Sequence, residues 1–201
     1  MTPYRDASLE QTLHRVSTVC LGGEPVPAAL RAWWALTLRM GEVPGVGDLL
    51  RPVDHDRLVA ERGLLDGPHG DWLVLAEGAL AELSLIAEGD SGGLMAMGYW
   101  RRPNTPIERC SVVGIDDEGQ MALLGRSLED ALASRVGWEP RHAARLDAFR
   151  AAFALEGITQ RADPRAIFDA LREDPELAAP FRDLSLRWQG VSERSPAQVR
   201  A

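Results

Sequence analysis

The feature that most constrains this chain is a series of short apolar runs between residues 72 and 124, separated only by turn-forming residues. The runs are Trp72-Leu73-Val74-Leu75, Leu83-Ser84-Leu85-Ile86, Leu94 to Trp100, Cys110 to Ile115 and Met121 to Leu124. Between them lie Glu77-Gly78, Glu88 to Gly93, Arg102-Pro103-Asn104-Thr105-Pro106 and Asp116-Asp117-Glu118-Gly119. Runs of this length bounded by Gly, Pro, Asn and Asp read as strands. A parallel strand pair needs a crossover of a dozen or more residues, and these connections leave no room for one. The pattern predicts an antiparallel meander, with a short extended piece before it at Leu49-Leu50, and argues against a parallel dinucleotide-binding sheet.

Helices flank this region. Leu9, Leu13 and Val16 recur at helical spacing within residues 7–19, and a second helix follows Pro27, carrying Leu30, Trp33, Trp34 and Leu36. Its Pro27 suits a first turn, where the missing N–H costs nothing. A further turn or two of helix is expected from Asp56 to Leu64. After the strands, Ser127 is placed to cap a helix running to about Val136, with Asp130 in its first turn. Helices from His142 to Leu155, after Asp163-Pro164 and after Asp174-Pro175 follow, both Asp-Pro pairs reading as an N-cap and the first helical position. The expected class is α+β: an antiparallel or mixed sheet backed by helices, with a C-terminal helical extension. The expected division is residues 1–136 for the α+β domain, 137–190 for the extension and 191–201 for a fraying tail.

Charge excludes several functions. The chain holds 22 cationic and 30 acidic residues, a formal net charge of −8, and every cation is arginine. Without lysine there can be no Schiff base with a cofactor aldehyde and no phosphate-binding Lys of a P-loop. The acidic balance also lacks the basic footprint of a nucleic-acid binder. Residues 1–134 carry 11 Arg and 20 acids, net −9, whereas residues 135–201 carry 11 Arg and 10 acids, net +1. The acidity belongs to the sheet-bearing part. No secretory signal or membrane-spanning run is visible, so Cys20 and Cys110 are expected as reduced thiols in a cytoplasmic protein.

Candidate chemistry is weak. Gly89-Asp90-Ser91-Gly92-Gly93 spells the nucleophile loop of chymotrypsin-like proteases, but two helices precede it rather than the barrel that supplies histidine and aspartate. The plainer reading is a glycine-rich turn. Asp54-His55-Asp56 and Asp66, His69 and Asp71 match no closed metal site and suit caps and turns. Cys110 has no histidine nearby in sequence, and residues 41–47 lack the flanks of a phosphate cradle. No catalytic residue, metal or cofactor is therefore nominated. Neighbouring aromatics point in different directions: Trp33 and Trp34 lie about 100° apart on a helix, and Tyr99 and Trp100 face opposite sides of a strand. One of each pair is expected at a groove or interface.

The order of features resembles the SUKH superfamily, bacterial immunity proteins related to fungal cell-wall-assembly regulators. Val26 to Trp34 resembles that family's opening helix, and Leu85-Ile86-Ala87 into Gly89 to Gly93 its strand and acidic glycine-rich turn. Val112 to Gly119 resembles the next hairpin, and Leu124 to Leu132 the closing helix. The resemblance covers residues 7–136 and implies a non-catalytic protein that binds and neutralises a cognate toxin, with nucleases of basic surface among the toxins. Alternatives are an adaptor or regulator of the same fold, or a hydrolase. The nominated partner contacts are Trp34, Asp90, Ser91, Tyr99, Trp100, Asp116, Asp117 and Glu118. The expected partner is a protein toxin, with neither nucleic acid nor membrane bound directly; whether the C-terminal helices pack on the sheet or make a homodimer is open.

Overall fold

A computed structural model of the protein describes residues 9–40, 51–52, 82–88, 94–116, 120–136, 147, 151, 154–155 and 164–192. Helix α1 spans Leu9–Val19 and α2 Ala28–Met40. Strands β1 (Arg51–Pro52), β2 (Leu83–Glu88), β3 (Leu94–Trp100), β4 (Ser111–Asp116) and β5 (Met121–Gly125) follow. Helices α3 (Leu128–Val136), α4 (Pro164–Arg172) and α5 (Pro175–Ser192) complete the described chain. The strands lie in the order β1-β2-β3-β4-β5, every neighbouring pair antiparallel. Strands β2 to β5 form the meander that the short connections predict, within an α+β architecture, and β1 pairs with β2 from earlier in the chain.

Boundaries are set locally. Past α1, Gly22 and Gly23 take φ of 63° and 88°, where side chains are disfavoured, and the Gly23 amide donates to Ser17 O at 2.7 Å. Ser127 Oγ accepts from the Asp130 amide at 3.3 Å, and Asp174 Oδ1 accepts from the Glu176 amide at 2.8 Å. Each satisfies a donor at a helix start that has no partner inside the helix. Leu49-Leu50, expected as an extended piece, lie outside the described residues, and strand β1 follows directly at Arg51–Pro52. The runs at 72–75 and 56–64 lie outside the described residues, as does the 191–201 tail beyond Ser192. From the predicted helix of 142–155, Asp147, Ala151, Ala154 and Leu155 are helical.

One core joins these elements. Leu13, Val16, Leu30, Trp33 and Trp34 from the first two helices, with Leu21 from the connection between them, meet Ile86, Met97, Tyr99, Val113 and Ile115 of the sheet. Ile167, Leu171, Leu177, Leu184 and Trp188 of α4 and α5 belong to the same cluster. Leu177, Phe181, Leu184 and Trp188 recur at three- and four-residue intervals, so α5 presents one apolar stripe. The C-terminal helices thus pack against the sheet. An ion pair fixes this junction: Arg126 Nη2, in the turn after β5, lies 2.6 Å from Asp174 Oδ2 at the start of α5.

The passage from β5 into α3 is tightly packed. A Cβ on Gly125 would lie 2.4 Å from the Ala131 amide nitrogen and 2.7 Å from Ser127 O, both backbone atoms. Gly125→Ala should therefore cost about 1–3 kcal/mol through overpacking. Denaturant titration of the variant checks this; an unchanged midpoint would show that the turn relaxes freely.

Candidate functional site

The end of β3 and the connection to β4 form the wall of an open cleft of about 710 Å³. Its lining is Glu24, Glu82 and the run Arg101, Arg102, Pro103, Asn104, Thr105 and Pro106. Three parts of the chain meet here. Glu24 is set by the α1–α2 loop, where its amide donates to Leu21 O at 3.2 Å and its carbonyl accepts from Ser17 Oγ at 2.8 Å. Glu82 precedes β2, and its carbonyl accepts from the Arg101 amide at 2.6 Å. The third part is a tight turn in which the Thr105 amide donates to Arg102 O at 3.1 Å. Pro103 and Asn104 hold its central positions, and Asn104 has φ of 59°. Pro followed by a left-handed Asn is the residue pattern of a type II turn.

Charge in the cleft is paired unevenly. Arg101 Nη2 donates to Glu24 Oε1, and Arg187 of α5 donates through Nη2 to Glu82 Oε1. Both pairs are part-exposed, so they orient side chains more than they stabilise the fold. Arg102 instead lies over the Trp100 ring, its guanidinium carbon 6.0 Å from the ring centroid. The Arg102 Nε is removed from solvent without an acceptor. Trp100 itself is 4% exposed, and its ring meets that of Phe181 edge-on, centroids 6.0 Å apart at 66°.

Three of the nominated contacts are corrected by this geometry. Trp34 and Tyr99 are each 1% exposed and Trp100 4%. The expectation that adjacent aromatics must part company assumes one covered side, and here there are more. Helix α2 packs on both α1 and α3, so Trp33 and Trp34 are both buried. Strand β3 is buried from Ala96 to Trp100, which takes both faces of the sheet out of solvent. Asp116 is part-exposed, and its Oδ1 accepts from the Gln120 amide at 2.6 Å, so it closes the β4–β5 connection as well as adding charge there. Asp90, Ser91, Asp117 and Glu118 lie outside the described residues.

The remaining chemical candidates are placed as follows. Cys110 is fully buried, with Sγ 3.5 Å from Pro106 O and 3.8 Å from Thr105 O, and so helps to hold the cleft's connection in place. His14 is exposed on α1. Among the described residues no group of three or more His, Cys, Asp and Glu could hold a metal ion, and no helix is long and apolar enough to cross a membrane. Sequence reasoning missed Glu24, Glu82, Arg101 and Arg102, reading the last as part of a turn alone. The one local signal was the tandem Arg pair directly between Tyr99-Trp100 and Pro103-Asn104. Comparison of the chain with family models, curated proteins and solved structures finds no match in any of the three.

Burial has a pH consequence. Desolvation pushes the Cys20 thiol from its ordinary 9.0 up to about 12. Burial likewise raises the Tyr99 phenol, with smaller contributions from Glu129, Cys110 and Glu108. Both shifts favour the neutral, protonated form in the fold. Their stabilisation is therefore complete below the unfolded thiol's value and is lost as pH rises from about 9 towards 12. Unfolding free energy should be flat around pH 7–8 and fall above pH 9, and Cys20 should resist alkylation until the chain unfolds. Rapid labelling of Cys20 in the folded protein at pH 8 would contradict this.

Proposed function

We propose that the protein is a non-catalytic, cytoplasmic binding protein of the SUKH type, an immunity protein that captures and neutralises a cognate toxin. The observation that carries the reading is the element order. Among the described residues, two helices, an antiparallel sheet and a helix opened by Ser127 occur in the chain order of the segments that carry the resemblance. The charge distribution supports the same reading, since the sheet-bearing residues 1–134 hold 20 acids against 11 arginines. A surface of that sign speeds encounter with a basic partner and can cover a cationic active site. The acidic connection Asp116-Asp117-Glu118 is the proposed contact, with Asp90 and Ser91 in the glycine-rich connection before β3.

Where a toxin is encoded beside this gene, that toxin is the partner to test. Co-expression should rescue cells from that toxin, and the two proteins should co-purify. Absence of both complex and protection would overturn the proposal, and binding to an unrelated regulatory protein would favour the adaptor reading. Within the complex, Asp117→Asn with Glu118→Gln should slow association several-fold and flatten its salt dependence while leaving dissociation nearly unchanged. Asp116 is left intact in this variant because its carboxylate holds the Gln120 amide. An unchanged association rate would remove the acidic connection from the contact surface.

A further inference from the structure

The cleft at the end of β3 is lined by two guanidiniums and two carboxylates, and one of those carboxylates is taken by an arginine from outside the lining. Glu24 is taken by Arg101 and Glu82 by Arg187. Arg102 has no carboxylate or carbonyl partner among the described residues; its side chain rests on the Trp100 ring. An arginine cannot shed its charge at any ordinary pH, so the charge remains in the cleft. The Trp100 ring supports the guanidinium, whose Nε is sequestered without an acceptor. The Arg102 side chain is half-buried, and among the described residues neither Nη1 nor Nη2 has a hydrogen-bond or ion-pair partner. Such a fork matches the two oxygens of a carboxylate in parallel, and resting on an aromatic ring reduces the freedom lost on binding.

We propose that this cleft is a carboxylate-binding subsite that takes an acidic side chain of a protein partner end-on through Nη1 and Nη2 of Arg102. A single unpaired guanidinium suits a monoanion. A phosphate dianion would bring its second charge towards Glu24 and Glu82, which line the same space. Asn104, held by its left-handed backbone in the turn, lines the cleft beside Arg102 and can supply a further side-chain donor. The volume of about 710 Å³ and the open mouth accommodate a peptide segment as well as its side chain. This subsite lies at the opposite end of β4 from Asp116 and needs no toxin for its test.

Nuclear magnetic resonance titration of the full chain decides it, reading the Arg102 side chain and the Trp100 indole. The probes are a short end-blocked peptide of aspartate and glutamate, its amide counterpart of asparagine and glutamine, sodium acetate, and inorganic phosphate. The acidic peptide should shift both signals saturably, more tightly than acetate, and the amide peptide should not. Arg102→Gln should weaken the peptide at least tenfold, whereas Arg102→Lys, which keeps the charge and loses the fork, should weaken it several-fold. The denaturation midpoint of both variants verifies that they fold. No saturable shift in the wild type, equal binding by a folded Arg102→Gln, acetate binding as tightly as the peptide, or phosphate binding more tightly than the peptide would each overturn the proposal.

Discussion

The structure depends on the burial of Trp100, the last residue of β3, between the sheet and the final helix. Its ring is closed edge-on by Phe181 of α5 and covered by the Arg102 guanidinium. Burying an aromatic side chain of this size contributes a few kcal/mol, and an edge-on aromatic contact adds about 0.5–1.5 kcal/mol. Because Trp100 sits where β3 ends, the contact also decides where the chain goes next. Arg101 is directed to Glu24, Arg102 lies over the ring, and the Pro103-Asn104 turn reverses the chain towards β4. The cleft is thus a consequence of how the core closes, which gives its charged groups fixed positions.

The C-terminal helices look separable in sequence, since they carry a net charge of +1 against −9 for the rest. In the fold that imbalance is used across the boundary. Arg187 of α5 meets Glu82 ahead of β2, and Asp174 at the start of α5 meets Arg126 after β5. Asp174 serves twice, as helix cap and as ion-pair partner. These exposed pairs contribute little individually. The binding energy of the junction comes from Leu184 and Trp188, both fully buried, and the pairs set its register.

Much of this architecture is legible in the residue pattern alone. Apolar runs bounded by turn residues locate β2 to β5, helical spacing locates α1, α2 and α3, and the Ser127 and Asp174 caps act as their positions imply. The aromatics are harder, because exposure depends on what arrives from elsewhere. Trp34 and Tyr99 look half-free when only their own helix or strand is considered, and are buried once the other layers are added. The cleft is less legible still. Arg101 lies 77 residues from Glu24, and Arg187 lies 105 from Glu82, so no local pattern relates them. What the sequence does hold is the tandem arginine beside an aromatic pair and a Pro-Asn turn, a combination whose meaning depends on the covering helix.

Sheet and C-terminal helices form one cooperative unit closed at Trp100, and this is the central claim. Native-state amide hydrogen exchange measures it directly, comparing Met97 and Val113 in the sheet with Leu184 and Trp188 in α5. A single unit requires all four amides to open with the same free energy and to fall together in Phe181→Ala. If the α5 amides exchange at much lower free energy while those of the sheet keep full protection, the helices are an appendage and the claim is contradicted.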